Sequence, residues 1–215
     1  MKNKLILVAL VLALSATSCN FPGFLNSSST AESTPTPDNG MLFYDGVGLQ
    51  IMLPPTYVTK DIHEDLPSIL NILTSALGES SSTLSTIVEN LESNVAWWGY
   101  DSSAPAISPT KLLIIKNKEL AGLPVNLISN AFGLFLSDDA NTMDSDQIEL
   151  GGRDVARFTY AKESNAWAGY VFKEQDLLWL VLFITTSANL AAQQADYEFS
   201  VGSIILDPVT ADPQP

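Results

Sequence analysis

Residues 151–186 read GGRDVARFTYAKESNAWAGYVFKEQDLLWLVLFITT, three β-prone runs separated by two short charged breaks. Leu177 to Ile184 is apolar at every position, so a strand there needs cover on both faces. Val155 to Tyr160 and Trp167 to Phe172 alternate more loosely, as antiparallel neighbours do. Lys162-Glu163-Ser164-Asn165 and Lys173-Glu174-Gln175-Asp176 are polar and short enough for hairpin turns. A meander whose last strand is buried on both sides implies helices above and below it.

Working outward, Gln147 to Leu150 reads as a short strand that Gly151-Gly152 turns into the meander. Asn94 to Tyr100 and Lys111 to Lys116 read as two more strands. Met41 to Tyr44 and Gly48 to Leu53 read as a hairpin with Asp45-Gly46 at its turn. Leu49, Ile51 and Leu53 then share one face, and Pro54-Pro55 ends the strand because neither proline donates to a ladder. Three helical patterns follow from apolar spacing. One starts at Pro67 with Ile69, Leu70, Leu73 and Leu77 and closes at Gly78. A second runs from Ser82 with Leu84, Ile87, Val88 and Leu91. The third runs from Pro124 to Leu136 with Leu127, Ile128, Ala131, Leu134 and Phe135 inward. After Thr186, Ser187 is expected to cap a last helix carrying Leu190, Tyr197, Val201, Ile204 and Ile205, ended by Asp207-Pro208. Strands come in groups with helices between the groups. The fold class is therefore α+β, an α/β/α sandwich with a mainly antiparallel central sheet.

The N-terminus concerns address rather than fold. Met1-Lys2-Asn3-Lys4 followed by Leu5 to Leu14 is a basic segment and an apolar one. Ten residues of helix span about 15 Å, half of a bilayer core, so the expectation is a secretion signal over 1–18. Ser15-Ala16-Thr17-Ser18-Cys19 resembles the lipobox of bacterial lipoproteins, with Ala16 where Leu is usual. That resemblance implies a diacylglyceryl group on the Cys19 thiol, anchoring the chain to a membrane of the bacterial cell envelope. Two acyl chains make such an anchor stable where one is marginal. Residues 19–40 are rich in Ser, Thr and Pro and read as a flexible tether with a reach of about 25 Å. A globular domain is expected over 41–207 and a frayed tail over 208–215. Cys19 is the sole cysteine, so no disulfide within the chain supports the fold.

Charge narrows the partners. The chain has 10 basic and 24 acidic residues, a net charge of −14. Loss of Lys2 and Lys4 with the signal would leave 8 against 24, or −16. Such a surface excludes nucleic acid as a partner, since phosphate binding needs clustered Lys and Arg. Anionic headgroups also repel it, so a lipid on Cys19 is the expected membrane attachment.

Reactive groups are few. His63 is the single histidine, in a polar stretch before a helix, and no Gly-x-Ser-x-Gly elbow accompanies it. A zinc site would need more His or Cys, and no nucleotide-binding fingerprint is present. The acidic run Asp138-Asp139-Ala140-Asn141-Thr142-Met143-Asp144-Ser145-Asp146 offers hard oxygen ligands, with Asp138, Asp139, Asp144 and Asp146 as the residues that would hold a cation. It fails the EF-hand pattern in each register and reads as a helix-to-strand loop, so neither metal nor cofactor is expected. Glu64, Glu79, Glu89 and Glu92 form a solvated face, and Arg153 and Arg157 are expected to pair with carboxylates. Trp97 and Trp98, adjacent on a strand, point to opposite faces. They are the candidate partner-binding aromatics, although a central sheet covered on both sides would bury them.

GVGLQIMLPPTYV at 46–58 and ELGGRDVARFTYAKESNAWAGYVFKEQDLLWLVLFITT at 149–186 resemble the opening and the meander of PsbP-like domains. The resemblance covers about residues 41–207 and implies an α/β/α sandwich. It further implies a binding or assembly factor rather than a catalyst. A non-enzymatic, lipid-anchored envelope protein that binds or assembles a partner protein is the first expectation. A binding module for an apolar small molecule or lipid is the alternative, and a hydrolase is disfavoured.

Overall fold

The computed structural model describes residues 40–62, 64, 65, 67, 69, 70, 91–103, 109–125 and 143–207. The expected signal segment, Cys19, the expected tether up to residue 39, His63, Glu79, Glu89, Asp138, Asp139 and the expected tail at 208–215 lie outside these residues. So do the middle of the first expected helix with Leu73 and Leu77, most of the second with Leu84, Ile87 and Val88, and the third with Leu127, Ile128, Ala131, Leu134 and Phe135.

The chain folds as α+β with antiparallel pairing throughout its described strands. Strands β3 (Tyr57–Thr59), β4 (Val95–Asp101), β5 (Lys111–Asn117), β6 (Met143–Leu150), β7 (Arg153–Lys162), β8 (Asn165–Glu174) and β9 (Leu177–Thr186) build one sheet of seven. Its order is β3-β4-β5-β9-β8-β7-β6. Strand β9, apolar from Leu177 to Ile184, thus sits between β5 and β8, covered on both faces as its sequence requires.

Two cross-strand rows show how the faces divide. On one face, Asp146, Arg157, Tyr170, Val181, Ile114 and Trp97 lie opposite one another in register from edge to interior. On the other, Ser145, Phe158, Gly169, Leu182, Leu113 and Trp98 do the same. Gly169 is required in that second row, because a Cβ there would fall within the Phe158 ring.

Helix α2 (Ser187–Gly202) follows β9 and covers the first face with Leu190, Tyr197 and Val201. A short helix, α1 (Leu91–Asn94), leads into β4. Ile62, Ile69, Leu70, Leu120, Leu123 and Val125 cover the opposite face. They come from helical residues within 62–70, from a 3-10 turn, Glu119–Gly122, whose Leu120 N–H donates to Asn117 Oδ1 at 2.8 Å, and from Leu123 and Val125 just after that turn. The layer over the first face is mixed, because α2 shares it with a second sheet. Strands β1 (Leu42–Gly46), β2 (Leu49–Leu53) and β10 (Ile205–Leu206) form that sheet in the order β1-β2-β10. It packs on the large sheet through Tyr44, Leu49, Ile51, Leu53 and Leu206.

Several expectations need correction. The β1–β2 turn is Val47-Gly48, with Gly46 opposite Leu49, not Asp45-Gly46. Gly48 supplies the positive φ of +83° that the turn needs. Strand β3, after the two prolines, was not expected. Strand β6 begins at Met143, so Asp144 and Asp146 stand on a strand rather than in a loop. Thr186, not Ser187, caps α2, its hydroxyl accepting the Asn189 N–H at 3.2 Å. The helix stops at Gly202, so Ile204 lies beyond it and Ile205 is in β10. Ser203 explains the stop. Its hydroxyl donates to the Ser200 carbonyl at 2.6 Å and accepts the Met52 N–H at 2.9 Å, tying the helix end to β2.

Candidate partner-binding surface

The tryptophans expected to compete between core and surface are both in the core. Trp97 is 2% exposed and Trp98 4%, on opposite faces as adjacent strand residues must be. Trp98 donates its indole N–H to Asp65 Oδ2 at 3.0 Å. Trp97 lies edge-on to Tyr44, ring centroids 6.2 Å apart, and its Nε1 has no hydrogen-bond partner among the described residues. Neither indole is available to a partner, so the expected binding aromatics are structural.

Asp144 is exposed on β6, and Asp146 is held by Arg157 through Nε–Oδ1 at 2.9 Å and a second bond from Nη2. Arg157 also donates to Glu198 on α2, locking the sheet edge to the helix. These contacts, led by the Asp146 hydrogen bonds, raise the guanidinium pKa further above its ordinary value. Among the described residues no cluster of acidic, histidine or cysteine side chains is arranged to hold a metal. Tyr170, beside Arg157 in the row, buries its hydroxyl without a partner among the described residues. Burial, then the nearby Glu198 charge, pushes its pKa up.

Arg153 pairs with Glu174 and lies over the Phe172 ring, 5.6 Å from the centroid. With Gly151, Gly152, Asp154, Lys173 and Val125 this pair lines an open polar cleft of about 540 Å³. Its cations and carboxylates alternate and the arginine is already paired. Glu64 is exposed, and the side chain of Glu92 lies outside what is described.

The small sheet is different. Five large apolar side chains are exposed among the described residues: Leu42, Phe43, Val47, Val58 and Ile205. Four of them, exposed by 52 to 57%, belong to the small sheet or its hairpin tip. The backbone beneath them is firmly held. Val47 N–H donates to the Ala96 carbonyl at 2.8 Å, where a register shift between Val95 and Trp97 interrupts β4. Lys116 Nζ donates to the Val47 carbonyl at 2.8 Å. Burial lowers the Lys116 pKa, and the Asp207 charge opposes that shift. A Cβ on Gly46 would meet the Ala96 carbonyl at 2.7 Å, so glycine lets the hairpin lie this close. Tyr44 donates its hydroxyl to the Pro54 and Tyr57 carbonyls at 3.2 and 3.1 Å, pinning β1 from its inner face. Asp207 N–H to Gly48 O, at 3.2 Å, fixes the end of β10.

Alternation on β1 therefore separates two roles. Tyr44 turns into the core, while Phe43 and Asp45 face outward with Gln50, whose amide donates to Asp45 Oδ1 at 2.7 Å. The residues of this surface were missed in sequence because apolar strand residues read as core; their edge position is set only by the final strand order.

No protein-family model matches this chain, and no curated protein sequence matches it. Solved structures do. The solution structure of cyanobacterial PsbP (CyanoP) from Synechocystis sp. PCC 6803 is similar at TM-score 0.49 and 12% identity, over 86% of this chain and 99% of that one. The Saccharomyces cerevisiae Ran-binding protein Mog1p is similar at TM-score 0.40 and 8% identity, over 77% and 96%. LpqN of Mycobacterium tuberculosis, involved in cell envelope biogenesis, is similar at TM-score 0.37 and 11% identity, over 80% and 94%. At this identity the likeness concerns overall shape, and function does not follow from shape.

Proposed function

We propose that this chain is a non-enzymatic protein-binding module of the bacterial cell envelope, anchored by lipid on Cys19 and engaging its partner through the small sheet. The observation that carries this reading is the concentration of exposed apolar side chains at Leu42, Phe43, Val47 and Ile205 on a rigidly held sheet. Exposed apolar side chains beside polar ones are characteristic of interaction sites, and Phe43 and Ile205 stand on the same outer face, while Leu42 is in register with Leu53 on the inner one. The alternative, an apolar ligand between sheet and helix, has less support. Phe183 and Tyr197 stack there at 4.2 Å, and Phe172 stacks on Trp179 at 6.3 Å, so a ligand would have to displace packed rings. The single histidine and single cysteine of the sequence also favour a non-catalytic role.

Two measurements test the proposal. Growth with labelled palmitate should label the wild type and not Cys19→Ser; equal absence of label would remove the anchor. Photo-crosslinking in native membranes from a probe at position 43 should capture one stoichiometric envelope protein, with a probe at Asp144 as the control. Failure at position 43, or equal capture from both, would defeat the binding surface.

A further inference from the structure

Resting on that reading, we infer that β1 recruits its partner by strand addition, pairing along its open edge with an extended, positively charged segment. The four edge strands of the two sheets are not alike. Strand β6 carries Asp144, Asp146 and Glu149, all exposed, and charge on an edge suppresses pairing. Strand β3 has three residues and β10 two, too short to template a partner. Strand β1 has five residues, pairs only with β2 among the described strands, and exposes Leu42 by 52% and Phe43 by 54%. Asp45 is its one charge and the Val47 N–H just beyond its end is taken by the Ala96 carbonyl, which leaves Leu42 to Asp45 as the least guarded edge among the described strands.

Charge selects the occupant. The chain carries a net −14, and exposed Asp45 and Asp207 stand beside the patch while Lys116 is turned onto the Val47 carbonyl. A second copy of the chain, or an anionic membrane, would bring like charge to this edge. A cationic strand would not. Phe43 and Asp45, two residues apart, share the outer face of β1. An added strand would therefore place an apolar residue beside Phe43 and, two residues along, a Lys or Arg beside Asp45. Cross-strand pairs of those kinds are the favourable ones, and the main chain supplies the rest of the affinity.

The probe is an end-blocked octapeptide, Val-Thr-Lys-Thr-Val-Thr-Lys-Thr, compared with its Glu-for-Lys counterpart and with a version N-methylated at alternate residues. Titration into the full chain at low salt should show the Lys peptide binding at least tenfold more tightly than the Glu peptide. Amide shifts should be confined to residues 41–47. N-methylation should abolish binding, and Phe43→Lys should weaken it at least tenfold with unchanged circular dichroism. Asp45→Asn should weaken the Lys peptide and spare a neutral Thr-for-Lys peptide. Equal binding of the Lys and Glu peptides, or binding indifferent to N-methylation, would overturn the proposal. So would reversible dimerisation or vesicle binding that Phe43→Lys removes, since the edge would then belong to another occupant. A stoichiometric envelope partner that crosslinks from position 43 but binds with its own helix, leaving the peptides unbound, would overturn strand addition and leave the binding-module reading standing.

Discussion

The two sheets of this molecule obey the same pairing rules and differ in what covers them. The seven-stranded sheet is packed on both faces, and its central strand β9 has no polar residue before Thr185. The three-stranded sheet packs one face against it and turns Phe43, Asp45 and Gln50 outward. One sheet is where the folding free energy resides. The other is held in place by that energy, with Phe43, Asp45 and Gln50 exposed on its outer side and Met52 buried there. Substitutions should therefore be severe in the first and mild on the outside of the second.

The most severe expected loss is at the sheet–helix interface. Phe183 is fully buried, stacked on Tyr197 and edge-on to Tyr170. Phe183→Ala should cost about 3–5 kcal/mol, read as a lower urea midpoint at unchanged slope. A loss below about 1 kcal/mol would mean that α2 is not part of the cooperative core.

Alkaline pH should strike the same layer. Tyr57 and Tyr170 are buried, and desolvation raises both pKa values above the ordinary 10. A raised pKa means the folded state keeps protons that the unfolded state releases, so stability is intact below pH 10 and falls as pH rises above it. The limiting slope is about 1.4 kcal/mol per pH unit for each such tyrosine. Absorbance at 295 nm should show their ionisation coinciding with unfolding, and Tyr57→Phe should reduce the slope. Ionisation of all six tyrosines near pH 10 with the fold intact would contradict this burial.

At the edge of the large sheet, Arg157 joins Asp146 of β6 to Glu198 of α2. Its pairs are part-exposed, so Arg157→Ala should cost only about 1–2 kcal/mol, an amount lessened by salt screening in the wild type. Double-mutant cycles with Glu198→Gln would measure the coupling; additivity would mean the two groups act independently.

The contrast also explains what could be read from sequence. Leu177 to Ile184 identified the central strand because uninterrupted apolarity has one solution in a sheet, and Gly151-Gly152 marked a turn that needs φ of +58° and +76°. The hairpin turn was misread because Asp45-Gly46 is the better local signal. Val47-Gly48 prevails through tertiary bonds, Val47 to Ala96 and Lys116, that no local pattern contains. Ile204 and Ile205 continue the helical period, and only the Ser203–Met52 bond reveals that the chain leaves the helix for β10. Strand β3 is three residues whose partner lies some forty positions away. The proposed interaction surface was hidden for a related reason. Alternation says that a strand has two faces, but strand order decides which one is covered. Trp97 and Trp98 were candidates because aromatics anchor partners, and they are buried because β4 lies inside the sheet.

The mildest change tests the division most sharply, because it acts on one strand with two faces. Phe43 and Tyr44 are neighbours on β1. Tyr44 faces the core and bonds to the Pro54 and Tyr57 carbonyls, whereas Phe43 is 54% exposed. Phe43→Lys should change stability by no more than about 0.5 kcal/mol, because a ring this exposed buries little apolar surface that folding could lose. Tyr44→Ala should cost about 2–4 kcal/mol, combining lost packing with loss of the hydroxyl shared between the Pro54 and Tyr57 carbonyls, of which Pro54 keeps the Tyr57 N–H. Urea melts of the two variants would measure the difference. If Phe43→Lys were as damaging as Tyr44→Ala, the outer face of the small sheet would be part of the core, and its exposure could not support the proposed binding.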